Sequence, residues 1–200
     1  MLKVYLLRHG ETTYNADNNR YCGRTDAPLT AKGIQQAHEV ARLVEGIHFD
    51  GVYSSPLNRA YQTAQIASGG HSVEKVERLI EADFGNWEGK TREEFIAEDP
   101  GLWERWSHDP GTTRAGGIGE TALEVAERVE NFFKELLEKY PSGQVMVVAH
   151  NGVNRFFLAR QLGMPLKNYR RIVQENSSLT VVELGGSEGF FLSKLNSRER

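Results

Sequence analysis

The sequence predicts a three-layer α/β/α sandwich, a mostly parallel sheet with helices on both faces. Two apolar runs, Val4-Tyr5-Leu6-Leu7 and Val145-Met146-Val147-Val148-Ala149, have the length and continuity of strands covered on both sides. Amphipathic segments of helical period lie between the strand-like runs. That alternation is the pattern of parallel strands joined by crossover helices. No linker, repeat or low-complexity segment interrupts the 200 residues, a length that fits one domain over 1–200.

The elements follow in order. The first strand ends at Arg8-His9, and Gly10 lets the chain turn sharply. Asn15 to Leu29 is polar and turn-rich. Thr30 caps a helix whose Ile34, Ala37, Ala41 and Val44 recur at helical spacing, with Gly46 as its stop. Gly51 to Ser55 reads as a short strand. Ser55-Pro56 opens the next helix, Ser as cap and Pro in the first turn, with Ala60, Ala64 and Ala67 on one face. Val73 to Leu79 alternates weakly, as an edge strand does, and Ile80 to Gly89 is irregular and acidic.

Thr91 caps a short helix through Glu98. Asp99-Pro100 interrupts it before Leu102, Trp103 and Trp106 resume an apolar stripe. Asp109 to Glu120 is glycine-rich and without period, which predicts a surface loop. Thr121 to Tyr140 is the longest helix, with Ala122, Ala126, Val129, Phe133 and Leu136 on one side and Glu or Lys on the other. The second apolar strand follows, then a helix from Val153 to Leu162 closed by Gly163. Leu179–Leu184 and Phe190–Leu192 are the last strands, joined by a hairpin over 185–189.

Bulk properties exclude several classes. The composition is 39% hydrophobic and 26% charged, and the net charge of -3 gives no reason for a nucleic-acid or anionic-membrane partner. Any anion binding must be local. Cys22 is the single cysteine, so no internal disulfide forms and a reducing compartment is expected. No run has membrane-spanning length, and the N-terminal apolar run is too short for a signal peptide, which points to the cytoplasm. The oligomeric state is left open, a homodimer included.

The chemistry gathers at strand ends, where open α/β sheets collect ligands. Arg8-His9-Gly10 and Ala149-His150-Asn151-Gly152 share one grammar: an apolar strand, then His, then a turn residue. A neutral imidazole attacks an electrophile near neutral pH, and a planar guanidinium matches phosphate oxygens two at a time. Arg59 follows another strand with Ser54 and Ser55 beside it, a second group of phosphate donors. Glu81 comes directly after the apolar pair Leu79-Ile80, and a general acid is what a departing alkoxide needs.

Other patterns fail on spacing. Gly85-x-x-x-Gly89-Lys90-Thr91 is one residue short of a nucleotide P-loop, Arg42 stands where a zinc-protease helix would place its second His after His38-Glu39, and Pro28 occupies the Arg position of a cysteine phosphatase relative to Cys22. His38, His48, His71 and His108 lack such context and are expected at the surface.

Five segments in order, Arg8-His9-Gly10-Glu11-Thr12 with Asn15, Leu29-Thr30-x-x-Gly33, Ser55-Pro56-x-x-Arg59-Ala60-x-x-Thr63-Ala64, Glu81 to Gly89, and Ala149-His150-x-Gly152-Val153, resemble the histidine phosphatase superfamily, the phosphoglycerate-mutase-like fold. The resemblance runs from residue 4 to about 184. It implies a phosphohistidine mechanism: His9 as nucleophile, Arg8, Arg59 and His150 around the phosphate, Glu81 as proton donor. Asn15 matches a phosphate contact, and Cys22-Gly23 matches the loop lining the pocket. Neither metal nor cofactor is implied. Two departures stand out. Asn151 occupies a position often held by Gly, placing it against the substrate, and Gly116 to Thr121 is longer than the usual Gly-Gly-Glu-Ser.

The resemblance leaves three activities: a phosphatase acting on a small phosphorylated metabolite, a mutase, or a non-catalytic phospho-ligand binder. The nucleophile and acid together argue against a binder. The compact region between Glu81 and His150 lacks the arginine-rich insertion of the family's glycolytic mutases, which favours hydrolysis. The segments Arg20-Tyr21-x-Gly23-x-Thr25-Asp26 and Asp83 to Thr91 resemble the α-ribazole phosphatase branch, whose substrate is α-ribazole 5'-phosphate.

Overall fold

The computed structural model describes residues 1–185 and 189–198. Among them one sheet contains six strands: β1 (Leu2–Arg8), β2 (Gly51–Ser54), β3 (Val73–Lys75), β4 (Gly143–Ala149), β5 (Leu179–Leu184) and β6 (Phe190–Ser197), in the order β3-β2-β4-β1-β5-β6. β1 to β4 run parallel, β5 lies antiparallel to β1, and β6 antiparallel to β5. The helices are α1 (Thr13–Ala16), α2 (Ala31–Leu43), α3 (Asn58–Ala67), α4 (Arg92–Glu98), α5 (Pro100–His108), α6 (Ala122–Lys139) and α7 (Asn151–Gln161).

Alternate residues of the central strands supply two cores. Leu2, Val4 and Leu6 of β1 with Val145 and Val147 of β4 bury against Val129 and Phe133 of α6 and Phe156 and Phe157 of α7. Tyr5, Leu7, Met146 and Val148 face the other way, onto Val40 of α2 and Ala60 and Ala64 of α3. Burial of each large apolar side chain contributes about 1.5–3 kcal/mol, so a strand apolar at every position stabilises both layers at once.

Several boundaries differ from the sequence expectation. α3 begins at Asn58, not at Ser55-Pro56: Leu57 stands at its cap without a side-chain bond, and the Asp26 carboxylate accepts Asn58 N at 2.9 Å. Ser55 Oγ is occupied elsewhere. β3 is only three residues, because the chain bends into a 3-10 turn at Glu77–Leu79 that buries Leu79. α1 begins just before the stretch read as turns and runs into it, opened by a capping box between Thr12 and Asn15. The loop 109–120 is not wholly superficial: Ala115 and Gly116 are buried in a 3-10 turn. β6 extends to Ser197, and the central residues of the expected hairpin, 186–188, lie outside the described residues.

Candidate active site

In-register parallel pairing of β1 with β4, Arg8 opposite Ala149, brings the next residue of each strand to one edge of the sheet. His9 N donates to Ala149 O at 3.1 Å, and the His9 and His150 rings lie 5.2 Å apart, tilted by 59°. β2 ends at the same edge, and Ser55 N donates to Val148 O at 3.0 Å. Three parallel strands thus deliver His9, His150 and Ser55 to one place.

Each imidazole has one nitrogen fixed. His9 Nδ1 lies 2.7 Å from Gly10 O, which assigns the proton to Nδ1 and leaves Nε2 with its lone pair. His150 Nε2 lies 2.7 Å from Ser55 Oγ, which itself accepts Leu57 N at 3.3 Å. The Ser55 hydroxyl thus engages Nε2, and Nδ1 of His150 is left buried without a partner. Both rings are held neutral, their proton affinities well below the ordinary histidine value. Burial is the main cause for each; Arg59 and Arg8 add to it at His9, Arg59 and His9 at His150.

The guanidiniums are tethered so that part of each is left over. Arg8 Nη1 donates to Gln174 O at 2.8 Å, while its Nε is buried without a partner. Burial lowers its pKa to about 10. Arg59, fully buried, gives Nη1 to Thr25 O at 2.6 Å and Nη2 to Gly23 O at 2.7 Å and Cys22 O at 3.2 Å; its Nε also lacks a partner. Thr63, one turn beyond Arg59, accepts Gly10 N at 3.1 Å and donates to Arg59 O at 2.7 Å, tying α3 to the His9 turn. Gly10 and Gly33 are required by close approach: a Cβ on Gly10 would meet Gly33 O at 2.4 Å, and one on Gly33 would meet Glu11 O at 2.1 Å.

Glu81 sits at the start of α7. Its Oε1 accepts Ala82 N at 2.9 Å and Val153 N at 3.2 Å, and its Oε2 accepts Gly152 N at 3.1 Å. A Cβ on Gly152 would stand 2.6 Å from Oε1, so only glycine lets the carboxyl reach the helix end. Burial pushes the Glu81 pKa up, against the lowering by these three N–H donors and Arg59.

A cavity of about 350 Å³ opens over this cluster. Arg8, His9, Glu81, Asn15, Cys22 and Asn151 line it; Arg59, His150 and Gly23 are buried and are not part of its lining. Asn15 is held by Thr12, whose N and Oγ1 both donate to its Oδ1. Cys22 Sγ bonds to Thr25 O at 3.3 Å. Gly23 turns its N–H to the Glu88 carboxylate at 2.9 Å and its carbonyl to Arg59. Asn151, the first residue of α7, has its side-chain oxygen buried without a partner.

Sequence reasoning missed residues that hold the site without carrying its motifs. Ser177 N and Asn176 Nδ2 both donate to His9 O, at 3.1 and 3.2 Å, from a loop 167 residues away along the chain. Glu120, in the lengthened glycine segment, accepts Asp83 N at 3.0 Å and pairs with Arg24 and Arg128, clamping the Glu81 segment to α6. Arg155, Arg170, Tyr21 and Phe84 also line the cavity. Of these, Tyr21 and Phe84 were legible only as parts of longer resembling segments, and the two arginines carried no local signal.

A neutral imidazole, two guanidiniums and a raised carboxyl thus meet at one α/β sheet edge, groups whose chemistry suits a phosphoryl ligand. The sequence pattern of the histidine phosphatase superfamily (branch 1) matches residues 4–197, and the chain belongs to that family. It is 33% identical to phosphoserine phosphatase 1 of Hydrogenobacter thermophilus, over 98% of this chain and 92% of that one. It is 34% identical to a "probable phosphoglycerate mutase GpmB" of Salmonella arizonae, over 94% and 87%. The structure of the α-ribazole phosphatase from Shigella flexneri superposes with a TM-score of 0.84 at 30% identity, covering 98% of this chain and 96% of that one, so the three-layer architecture is the family's.

Proposed function

We propose that this protein is a phosphatase that hydrolyses a small phosphorylated metabolite through a phosphohistidine on His9. One observation carries the reading. Arg8 Nε, Arg59 Nε and His150 Nδ1 are buried without hydrogen-bond partners, and all three side chains belong to the neighbourhood of His9, whose ring lies 5.2 Å from that of His150 and whose proton affinity both arginines lower. Buried donors are rarely left unpaired, and a phosphoryl group supplies oxygens to all three. Each charge-assisted bond is worth about 1.5–3 kcal/mol.

In the first step His9 Nε2 attacks phosphorus while the bond from phosphorus to the ester oxygen breaks, and protonated Glu81 gives that oxygen its proton. The raised proton affinity of Glu81 keeps this proton available nearer neutrality. In the second step the Glu81 carboxylate takes a proton from water, the water oxygen bonds to phosphorus, and the bond to His9 breaks, releasing inorganic phosphate. Arg8, Arg59 and His150 stabilise the charge on the transferring oxygens, the part a metal ion plays elsewhere. The reading needs no metal and no cofactor.

Hydrolysis is favoured over transfer to a second hydroxyl because the segment between Glu81 and His150, which holds α4, α5, α6 and β4, carries no arginine-rich insertion. The named activities of the relatives make phosphoserine and α-ribazole 5'-phosphate the first substrates to assay. The reading has the chain acting as one domain, in the cytoplasm, alone or as a homodimer, with neither nucleic acid nor membrane as partner. Among the described residues no helix is long and apolar enough to cross a membrane.

The test is covalent labelling with an isotopically labelled phosphomonoester, followed by denaturation in alkali, which preserves phosphohistidine. The wild type retains label; His9→Ala retains none and loses turnover by at least about 10³-fold. A labelled or fully active His9→Ala protein refutes the assignment.

A further inference from the structure

We propose that Arg155 and Arg170 form a second anion subsite, so that the preferred substrate is a phosphomonoester whose leaving group bears a carboxylate. This rests on the phosphatase reading above and goes beyond it to the leaving group.

Charge pairing around the cavity singles these two out. Five arginines line it: Arg8, Arg20, Arg92, Arg155 and Arg170. Arg20 is matched by Asp17 at 2.6 Å and Glu94 at 2.8 Å, and Arg92 stands 3.6 Å from Glu93. Arg8 serves the phosphoryl group. Among the described residues no carboxylate lies within ion-pair distance of Arg155 or Arg170. Arg155 spends its bonds on neutral acceptors, Nε on Ile172 O at 2.6 Å and Nη2 on Arg170 O at 3.4 Å. Arg170 gives Nη2 to Tyr21 Oη at 2.6 Å and lies over the rings of Trp103 at 4.6 Å and Tyr169 at 5.2 Å.

Two half-buried guanidiniums without a carboxylate partner, the one on Arg155 bonded to the backbone carbonyl of Arg170, call for an anion. Their supports hold them rigidly: carbonyls and aromatic rings fix each head while leaving its charge uncompensated. Arg155 lies within electrostatic reach of Arg8 and Glu81, so an anion held there sits beside the phosphoryl group. Arg155 is one turn along α7 from Asn151, and Arg170 lies near the end of a 3-10 helix (Leu166–Arg171). The Asn151 side-chain oxygen, on the same face of α7 as Arg155, is likewise buried without a partner.

Matched pairs test this. Wild-type kcat/KM is compared for 3-phosphoglycerate against glycerol 3-phosphate and for phosphoserine against phosphoethanolamine, with p-nitrophenyl phosphate as reference. The expected preference for the carboxylated member is about ten- to hundredfold, the range of one charge-assisted contact. In Arg155→Gln and in Arg170→Gln that ratio falls toward one, and Arg155→Lys restores part of it. Equal wild-type rates within both pairs, a uniform loss in the variants, or faster turnover of α-ribazole 5'-phosphate than of either acid overturns the subsite. The wild-type comparison stands even where a variant does not fold. Hydrolysis of p-nitrophenyl phosphate without carboxylate preference sinks this inference alone; no hydrolysis of any ester sinks the phosphatase reading and this one with it.

Discussion

Glu81→Gln separates the acid from the scaffold. The carboxylate accepts Ala82 N and Val153 N on Oε1 and Gly152 N on Oε2. A glutamine that keeps its oxygen on the Oε1 pair turns its N–H2 against Gly152 N–H. One acceptor is then lost, at about 1.5–3 kcal/mol. The same change removes a buried carboxyl whose ionisation burial disfavours, which offsets part of that cost, so the variant folds with a modest drop in urea midpoint. The catalytic effect is larger and selective. A general acid contributes about 10²–10⁴-fold, equivalent to about 3–5 kcal/mol of transition-state stabilisation. That loss is expected in kcat/KM for an alkyl ester such as glycerol 3-phosphate, whose alkoxide cannot leave unprotonated. For p-nitrophenyl phosphate, whose leaving group departs as an anion, the loss stays below about tenfold. The parameter kcat/KM is the right one because it covers the steps through departure of the alcohol and excludes the later hydrolysis of phosphohistidine. Equal losses on both esters would refute the acid assignment and leave Glu81 as a structural cap of α7.

Three other outcomes follow from the same geometry. In Gly152→Ala the new Cβ, 2.6 Å from Glu81 Oε1, displaces the carboxyl; kcat/KM on alkyl esters drops by at least about tenfold while p-nitrophenyl phosphate suffers less, and an unselective loss contradicts this. Ser55→Ala leaves His150 Nε2 buried and unpaired, costing about 1–3 kcal/mol by urea unfolding and freeing the ring to change tautomer; unchanged kcat/KM would show that Ser55 does not position the ring. For pH, the sign runs from proton uptake: the unfolded chain protonates His9 and His150 near 6.5, the folded protein only well below it. The unfolded state therefore binds more protons, and stability falls as pH drops through and below 6.5, by up to about 1.4 kcal/mol per pH unit per histidine. Glu81 opposes this: its folded pKa is raised above 4.5, so its contribution is lost as pH rises from there. Urea midpoints at about pH 7.5 and about pH 5.5 should diverge less in the His9→Ala/His150→Ala protein than in the wild type, and parallel shifts would refute the account.

The sequence by itself determined the layers and the strand-end chemistry, because both are local. Strands apolar at every position, such as Val145 to Ala149, have to be covered on two faces, and a His or Arg directly after such a strand emerges at the sheet edge whatever surrounds it. The roles of Ser55 and Gly152 were not legible in the same way. A Ser-Pro pair after a strand looks locally like a helix opening, and nothing nearby in the chain reveals that its hydroxyl is engaged by an imidazole 95 residues away. Only the tertiary structure decided which donors were left unpaired. Arg8, Arg59 and His150 each spend some nitrogens on carbonyls or a hydroxyl brought from distant parts of the chain, and one nitrogen of each is left buried and unpaired. The same holds for Arg155 and Arg170, whose lack of a carboxylate partner is a property of everything packed around them. Pairing in three dimensions is a sum over the whole neighbourhood, and no window of the chain contains it.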